Sequence, residues 1–170
     1  MTPIVFAHGL EGSPNGRKIQ TLRSAGFSVD APDGRGLMLA DRVDGIERAM
    51  RGRKVLLIGS SYGGLAAAYL ASVHPERLVG LLLLAPALHR TEKPVFSPES
   101  LMPPQGVPTV VIHGIRDAVV PVDASRRYAA RGSVDLIEVD DDHRLVGALS
   151  QMVASTERLL QINETTLDDI

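Results

Sequence analysis

The chain has no cysteine among its 170 residues. Disulfide bonds, a thiolate nucleophile and cysteine-ligated metal sites are therefore excluded. A strong excess of charge is also missing, because 18 basic and 20 acidic side chains leave a formal net charge of −2. This balance gives no indication that nucleic acid or an anionic membrane is a partner.

Long apolar runs are absent too. The longest, LVGLLLLAPAL, is too short to span a bilayer. The first residues, MTPIVFAHGL, lack the basic segment and long apolar run of a signal peptide. We therefore expect a cytoplasmic protein without membrane association. The length fits a single domain over residues 1–170 that ends in a polar tail over 163–170, and the oligomeric state is left open.

Short, nearly continuous apolar runs recur along the chain, with segments of helical spacing between them. Such runs suit strands buried on both faces, as in a parallel sheet. The runs are PIVFA, VLLI, LVGLLLL, TVVI and VDLIEV, with FSVDAP as a weaker sixth. Helices are predicted over 18–25, 39–51, 65–73, 122–130 and about 145–160. This alternation predicts a three-layer α/β/α sandwich with a mainly parallel sheet of about six strands.

Residues 85–107 interrupt this alternation, because they are rich in proline and show little periodicity. Long irregular connections in compact domains are usually functional or mobile. We therefore expect this segment to form a loop or a one-turn cover near a site.

The stretch GSSYGG lies between the apolar run VLLI and an alanine-rich helical segment. Gly59, Ser61 and Gly63 fit the pattern G-x-S-x-G in the strand–turn–helix context that the pattern requires. The glycines are needed because the chain passes very close to itself at such a turn. The same residues also fit a simple structural turn with no catalytic role. Residues elsewhere in the chain are needed to distinguish the two interpretations.

A nucleophilic serine needs a base, and the base needs a group that orients it. In this fold the chain order is Ser, then Asp or Glu, then His. Asp117 follows the run TVVI and His143 follows VDLIEV, which places both at carboxyl ends of predicted strands, where open α/β sheets bind their ligands. We predict Ser61 as nucleophile, Asp117 as orienting acid and His143 as base. The backbone amides of Leu10 and Tyr62 are predicted to bind the oxyanion.

The motifs HGLEGSP, DGRG, GSSYGG, HPERLVGLLLLAP, HGIRDAVVP and DHRL together resemble the α/β-hydrolase superfamily. The resemblance is strongest to its small single-domain bacterial esterases and covers roughly residues 2–150. It implies the strand order 2-1-3-4-5-6, no helical cap, and the roles already given to Ser61, Asp117, His143, Leu10 and Tyr62. The chain differs from larger members because it lacks their two N-terminal strands and carries only the proline-rich segment in place of a cap.

These patterns predict a serine hydrolase that cleaves a carboxylic ester or thioester of a small acyl substrate through an acyl-enzyme. No cofactor or metal is expected. Acyl transfer and hydrolysis of an amide or C–C bond are alternatives, because the same three residues support them. A non-catalytic binding module is a further alternative, although such a protein would have no need for all three residues.

The remaining histidines and acids allow other interpretations. The cluster DDDH, residues 140–143, is also compatible with a metal site. Consecutive acids on a loop usually face solvent, however, and these could instead stabilise a charged His143. His8 and His113 follow predicted strands and are expected to be structural hydrogen-bonding residues.

Overall fold

Six parallel strands form one sheet in the computed structural model, which describes residues 1–168. The order is β2-β1-β3-β4-β5-β6, and every neighbouring pair is parallel. This result confirms the predicted topology. The strands are β1 (Ile4–Ala7), β2 (Val29–Asp30), β3 (Val55–Ser60), β4 (Leu78–Leu84), β5 (Thr109–Gly114) and β6 (Asp135–Val139).

Helices cover both faces of the sheet, because alternate side chains of each strand point to opposite faces. Val5 and Leu57 pack with α2, α3 and α4, whereas Ile4 and Phe6 pack with α1 and α5. The predicted three-layer arrangement is therefore confirmed. The helices are α1 (Arg17–Ser24), α2 (Leu39–Met50), α3 (Tyr62–Val73), α4 (Val122–Ala129) and α5 (Leu149–Asp168). No helix in the described part of the chain has the length and apolarity needed to cross a membrane.

The last helix differs from its prediction at both ends. Leu145 adopts a left-handed conformation with φ 54°, and a 3₁₀ turn over Val146–Ala148 precedes α5. The helix therefore begins at Leu149 rather than near residue 145. It continues to Asp168 because no glycine or proline interrupts the chain, so most of the predicted polar tail is helical. Residues 169–170 of that tail lie outside the described residues.

The proline-rich segment 85–107 connects β4 to β5. Since these strands are parallel neighbours, the chain has to return from the carboxyl end of one to the amino end of the other. The segment makes this crossover with no α-helix, using only a 3₁₀ turn at Pro98–Ser100. It is thus part of the layer formed by α2, α3 and α4, and its residues from Ala87 to Glu92 lie beside the serine turn and the Tyr62 side chain. Its buried leucine and valine side chains are Leu88, Val95, Leu101 and Val107.

Candidate active site

Ser61 occupies the turn between β3 and α3 with φ 53° and ψ −116°, a conformation that non-glycine residues rarely adopt. The turn is tight on every side. A Cβ atom on Gly63 would lie 2.1 Å from the Ala7 carbonyl oxygen, and one on Gly59 would lie 2.7 Å from the Ala67 Cβ. Both glycines are therefore sterically required.

Ser61, His143 and Asp117 form one continuous hydrogen-bonded chain. Ser61 Oγ lies 2.9 Å from His143 Nε2, and His143 Nδ1 lies 2.7 Å from Asp117 Oδ2. An imidazole that donates Nδ1–H to the carboxylate leaves Nε2 free to accept the serine proton. The loops after β3, β5 and β6 bring together three residues that are far apart in the sequence.

The carboxylate of Asp117 is completely buried, yet it is well supplied with hydrogen-bond donors. Its Oδ1 accepts bonds from the amides of Val119 and Val120, both at 2.8 Å. Burial alone would raise the pKa of Asp117. The bonds from Val120, His143 and Val119 outweigh this effect and hold the pKa below its usual range. Asp117 is therefore a carboxylate at neutral pH.

His113 lies beneath Asp117 and is fully buried. Its Nε2 lies 3.1 Å from Asp117 Oδ2 and 3.0 Å from the Val120 carbonyl oxygen, while Nδ1 lies 2.7 Å from Ser125 Oγ. Burial lowers the pKa of His113, which keeps the ring neutral. Its structural role thus includes supporting the Asp117 carboxylate. The four-residue spacing between His113 and Asp117 in the sequence could have indicated this contact.

The loop after β1 lies against Ser61 on the side away from Asp117. A Cβ atom on Gly9 would be 3.3 Å from the Ser61 Cβ and 3.9 Å from its Oγ. Within residues 1–168, the amides of Leu10 and Tyr62 have no protein hydrogen-bond acceptor. Two unused N–H donors therefore belong to the residues that follow Gly9 and Ser61.

His8 is buried at the end of β1, with only 4% of its surface exposed. Its Nδ1 donates to the Gly9 carbonyl at 2.7 Å, and its Nε2 accepts the Gly34 amide at 3.0 Å. Burial lowers the pKa of His8, so the ring is neutral. His8 joins the loop after β1 to the DGRG turn, which agrees with its predicted structural role.

Tyr62 was singled out in the sequence only for its amide, but its side chain is also tightly held. Its ring is buried, and the Cζ atoms of Arg42 and Arg90 lie 4.7 and 4.8 Å from the ring centroid. Its hydroxyl donates to a Glu92 carboxylate oxygen. Burial and the Glu92 carboxylate raise the pKa of Tyr62 to about 12. Nothing in the local sequence indicated these contacts, because they join distant segments.

Ser61 and His143 line a groove of about 660 Å³. Its walls come from the loop after β1, the first turn of α1 and the segment that precedes α5. Exposed apolar side chains on this groove are Leu10, Val119 and Val146, and the basic ones are Arg17, Lys18 and Arg144. A larger groove of about 940 Å³ lies at the amino ends of β5 and β6 and contains none of the predicted site residues.

The four residues of the DDDH cluster point to different partners. Asp140 pairs with Arg116 at 2.7 Å, Asp141 accepts the Gly147 amide at 2.8 Å, and Asp142 accepts the Arg144 amide at 2.9 Å. The fourth, the histidine, bonds to Ser61 and Asp117. Across the part of the chain that the structure describes, no group of three or more His, Cys, Asp or Glu side chains could hold a metal ion.

Comparison with known proteins agrees with this geometry. The profile of the alpha/beta hydrolase fold matches residues 2–105. The six-stranded order, the serine turn and this match together show that the chain belongs to the alpha/beta hydrolase family. The predicted superfamily is thereby confirmed.

Two curated relatives extend the comparison. The AB hydrolase superfamily protein YfhM of Bacillus subtilis is 31% identical over 118 residues, which cover 58% of this chain and 41% of that protein. The pyrethroid hydrolase of Sphingobium wenxiniae is 30% identical over 147 residues, which cover 76% of this chain and 50% of that protein. The matched part of the chain thus spans half or less of the length of these relatives.

Solved structures match over nearly the whole chain. An alpha/beta superfamily protein from Xanthomonas campestris pv. campestris has a TM-score of 0.77 and 25% identity, with 95% of this chain and 99% of that one covered. A monoacylglycerol lipase from Paleococcus ferrophilus has a TM-score of 0.75 at 19% identity, with 94% and 96% covered. The second likeness concerns the fold alone.

Proposed function

We propose that this protein is a serine hydrolase that cleaves a carboxylic ester or thioester of a small molecule through an acyl-enzyme. The observation that carries the proposal is the continuous hydrogen-bonded chain from Ser61 Oγ through His143 to the buried carboxylate of Asp117. Ser61, at the start of this series of hydrogen bonds, lines a groove large enough to admit a small substrate.

In the proposed mechanism, Ser61 Oγ attacks the carbonyl carbon while His143 Nε2 takes the hydroxyl proton. The tetrahedral oxyanion accepts hydrogen bonds from the amides of Leu10 and Tyr62. His143 then gives its proton to the leaving alcohol or thiol, and the acyl group stays on Ser61. A water molecule, deprotonated by the same imidazole, releases the acid. Asp117 remains ionised throughout and stabilises the imidazolium.

The names of two relatives support an ester substrate. One curated relative, from Pseudarthrobacter phenanthrenivorans, is a triacylglycerol lipase, and another is the pyrethroid hydrolase. Their own substrates are not assigned to this chain, because the matches span only 41% and 50% of those proteins.

Covalent labelling with a fluorophosphonate tests the nucleophile directly. We expect one phosphonate per chain on the wild-type protein, located at Ser61 by peptide mass spectrometry. Ser61→Ala should abolish the label, whereas Ser60→Ala is the matched control and should label normally. A label that survives Ser61→Ala and disappears in Ser60→Ala would contradict the assignment. A folded wild-type protein that neither labels nor hydrolyses any ester would favour the binding-module alternative.

A series of nitrophenyl esters with increasing acyl length tests the substrate size. No helical cap lies over the groove within residues 1–168, so a long acyl chain finds little wall to pack against. Each buried methylene contributes about 0.8 kcal/mol only where such a wall exists. We therefore expect kcat/KM to be highest for short acyl groups, and a steady increase to long chains would contradict this. Matched thioester and amide substrates then separate the remaining reaction types.

A further inference from the structure

Arg42 is a charged residue on the apolar face of α2. Only 5% of its surface is exposed, and it shares that face with Leu39, Val43 and Ile46, which pack against the sheet. Burying a guanidinium costs free energy unless its N–H groups are satisfied. Packing of the helix alone does not explain why an arginine is present here.

The guanidinium binds the main chain just before Leu10. Its Nη1 donates to the His8 carbonyl at 2.6 Å. Its Nη2 lies 3.5 Å from the Gly9 carbonyl, which also accepts bonds from His8 Nδ1 at 2.7 Å and from the Gly12 amide at 3.2 Å. The Gly9 carbonyl and the Leu10 N–H belong to the same planar peptide unit. A group that holds this carbonyl therefore also fixes the direction in which the Leu10 N–H points.

The same guanidinium contacts the residue that carries the second amide. Arg42 Cζ lies 4.7 Å from the centroid of the Tyr62 ring, which is the distance of a cation–π contact. Arg90 Cζ also lies 4.8 Å from the ring centroid, and the hydroxyl donates to Glu92. Several side chains therefore hold Tyr62 in place. One of them, Arg42, also binds the loop after β1.

The space around the guanidinium is limited. A Cβ atom on Gly34 would lie 3.1 Å from Arg42 Cζ, closer than side chains normally approach. A third bond, from Nε to the Leu37 carbonyl at 3.3 Å, anchors the group to the chain that enters α2. The orientation of the guanidinium is therefore set by the DGRG turn as well as by its own helix.

From these contacts we propose that Arg42 is a positioning residue that holds the Leu10 and Tyr62 amides in fixed relation to each other. It does so through the peptide carbonyls on one side and the aromatic ring on the other. Arg42 touches neither the substrate nor Ser61 in this role. The inference rests on the proposed serine hydrolase function, since it concerns the oxyanion site of that mechanism.

The test compares Arg42→Lys with the matched control Arg48→Lys, an exposed arginine on the same helix. A lysine keeps the charge but not the planar fork that reaches two carbonyls and stacks on a ring. We expect Arg42→Lys to lower kcat on the order of 10²-fold, comparable to losing one oxyanion donor, with KM near its wild-type value. Affinity for a boronic acid that forms a tetrahedral adduct should fall by a similar factor. Arg48→Lys should match the wild type.

Gly34→Ala supplies a second variant that leaves Arg42 in place and displaces its guanidinium, while the backbone N–H that residue 34 donates to His8 is retained. We expect the same separation of kcat from KM, at smaller magnitude, and thermal unfolding monitored by circular dichroism verifies that each variant is folded. If Arg42→Lys fails to fold, Gly34→Ala decides the matter alone.

A folded Arg42→Lys protein with wild-type kcat would overturn the inference. A higher KM at unchanged kcat would overturn it too, because Arg42 would then serve substrate binding. Absence of phosphonate labelling in the wild-type protein would instead remove the proposed function, and the inference with it.

Discussion

On one side of Ser61, the loops after β5 and β6 supply side chains that form the hydrogen-bonded chain to Asp117. On the other side, the loop after β1 and the first residue of α3 supply main-chain amides. The first side, with His143, Asp117 and His113, is called the proton side here, and the second, with Leu10 and Tyr62, the amide side. In the proposed mechanism the charge of His143 changes on the proton side, whereas the amide side contributes only N–H donors, for which direction matters.

A buried histidine supports each side. Both histidines are neutral, but they bind different groups. His113 lies against the Asp117 carboxylate, and His8 bonds the Gly9 carbonyl of the Leu10 peptide. Burial lowers the pKa of both rings, so both are neutral near pH 7. Both supporting rings are therefore neutral and buried, whereas the imidazole of His143, the proposed base, lines the groove.

The largest effect is expected from Ser61 and from His143, its partner on the proton side. A serine without its base, or a base without its serine, is inactive in this mechanism. Ser61→Ala and His143→Ala should each lower kcat on the order of 10⁶-fold, and the double variant hardly further. The measurement is kcat on a good ester, with folding checked by circular dichroism. A double variant far below both singles would mean that the two residues act separately.

Asp117→Asn should have a milder effect than either of these changes. Asparagine fits the same space but does not favour the productive tautomer of His143, so kcat should fall about 10⁴-fold. Steady-state kinetics at fixed pH measure the change, and a similarly buried substitution away from the site, Ser155→Ala, is the control. Near-normal turnover of Asp117→Asn would show that the proton side needs no carboxylate.

The supporting histidines should also make the free energy of unfolding depend on pH. Their folded-state pKa values lie below the usual 6.5, so the unfolded chain takes up protons first as the pH falls. Stability should therefore be lost below pH about 6.5, by at most about 1.4 kcal/mol per pH unit for each ring. Urea unfolding at pH 7.5 and 5.5 measures this slope. His8→Asn and His113→Asn should each reduce it, and unchanged slopes in both variants would contradict the assignment.

The smallest effect is expected from metal removal. Neither side of Ser61 uses a metal in the proposed mechanism, and the acids of the DDDH cluster are engaged with separate partners. Activity should be the same before and after incubation with EDTA. Loss of activity that a divalent cation restores would return the metal interpretation of that cluster.

Ser61, Asp117 and His143 could be predicted from the sequence because each follows a recognisable apolar run. Strand order then brings the carboxyl ends together, although contact itself cannot be read from spacing. The catalytic roles of Ser61, Asp117 and His143 remain predictions that the labelling and kinetics test.

The supports of the amide side could not be predicted in the same way. Arg42 lies 34 residues from His8, and only the crossing of α2 over the end of β1 brings them together. An arginine on a helix normally indicates a solvent-exposed face, so the sequence of α2 did not indicate that Arg42 is buried. The path of segment 85–107, expected to form a loop or cover near a site, could not be predicted either. Local composition marks an irregular segment, but only the parallel pairing of β4 and β5 dictates its path.

The backbone of Ser61 has a consequence for the evolution of this sequence. A φ of 53° in a residue with a side chain stores about 1–3 kcal/mol of conformational strain. Glycine would relax the turn, and a fold selected only for thermostability would accept it at this position. Under the proposed function, Ser61 is therefore a position where stability and catalysis conflict, and homologues without that activity would be free to carry glycine there.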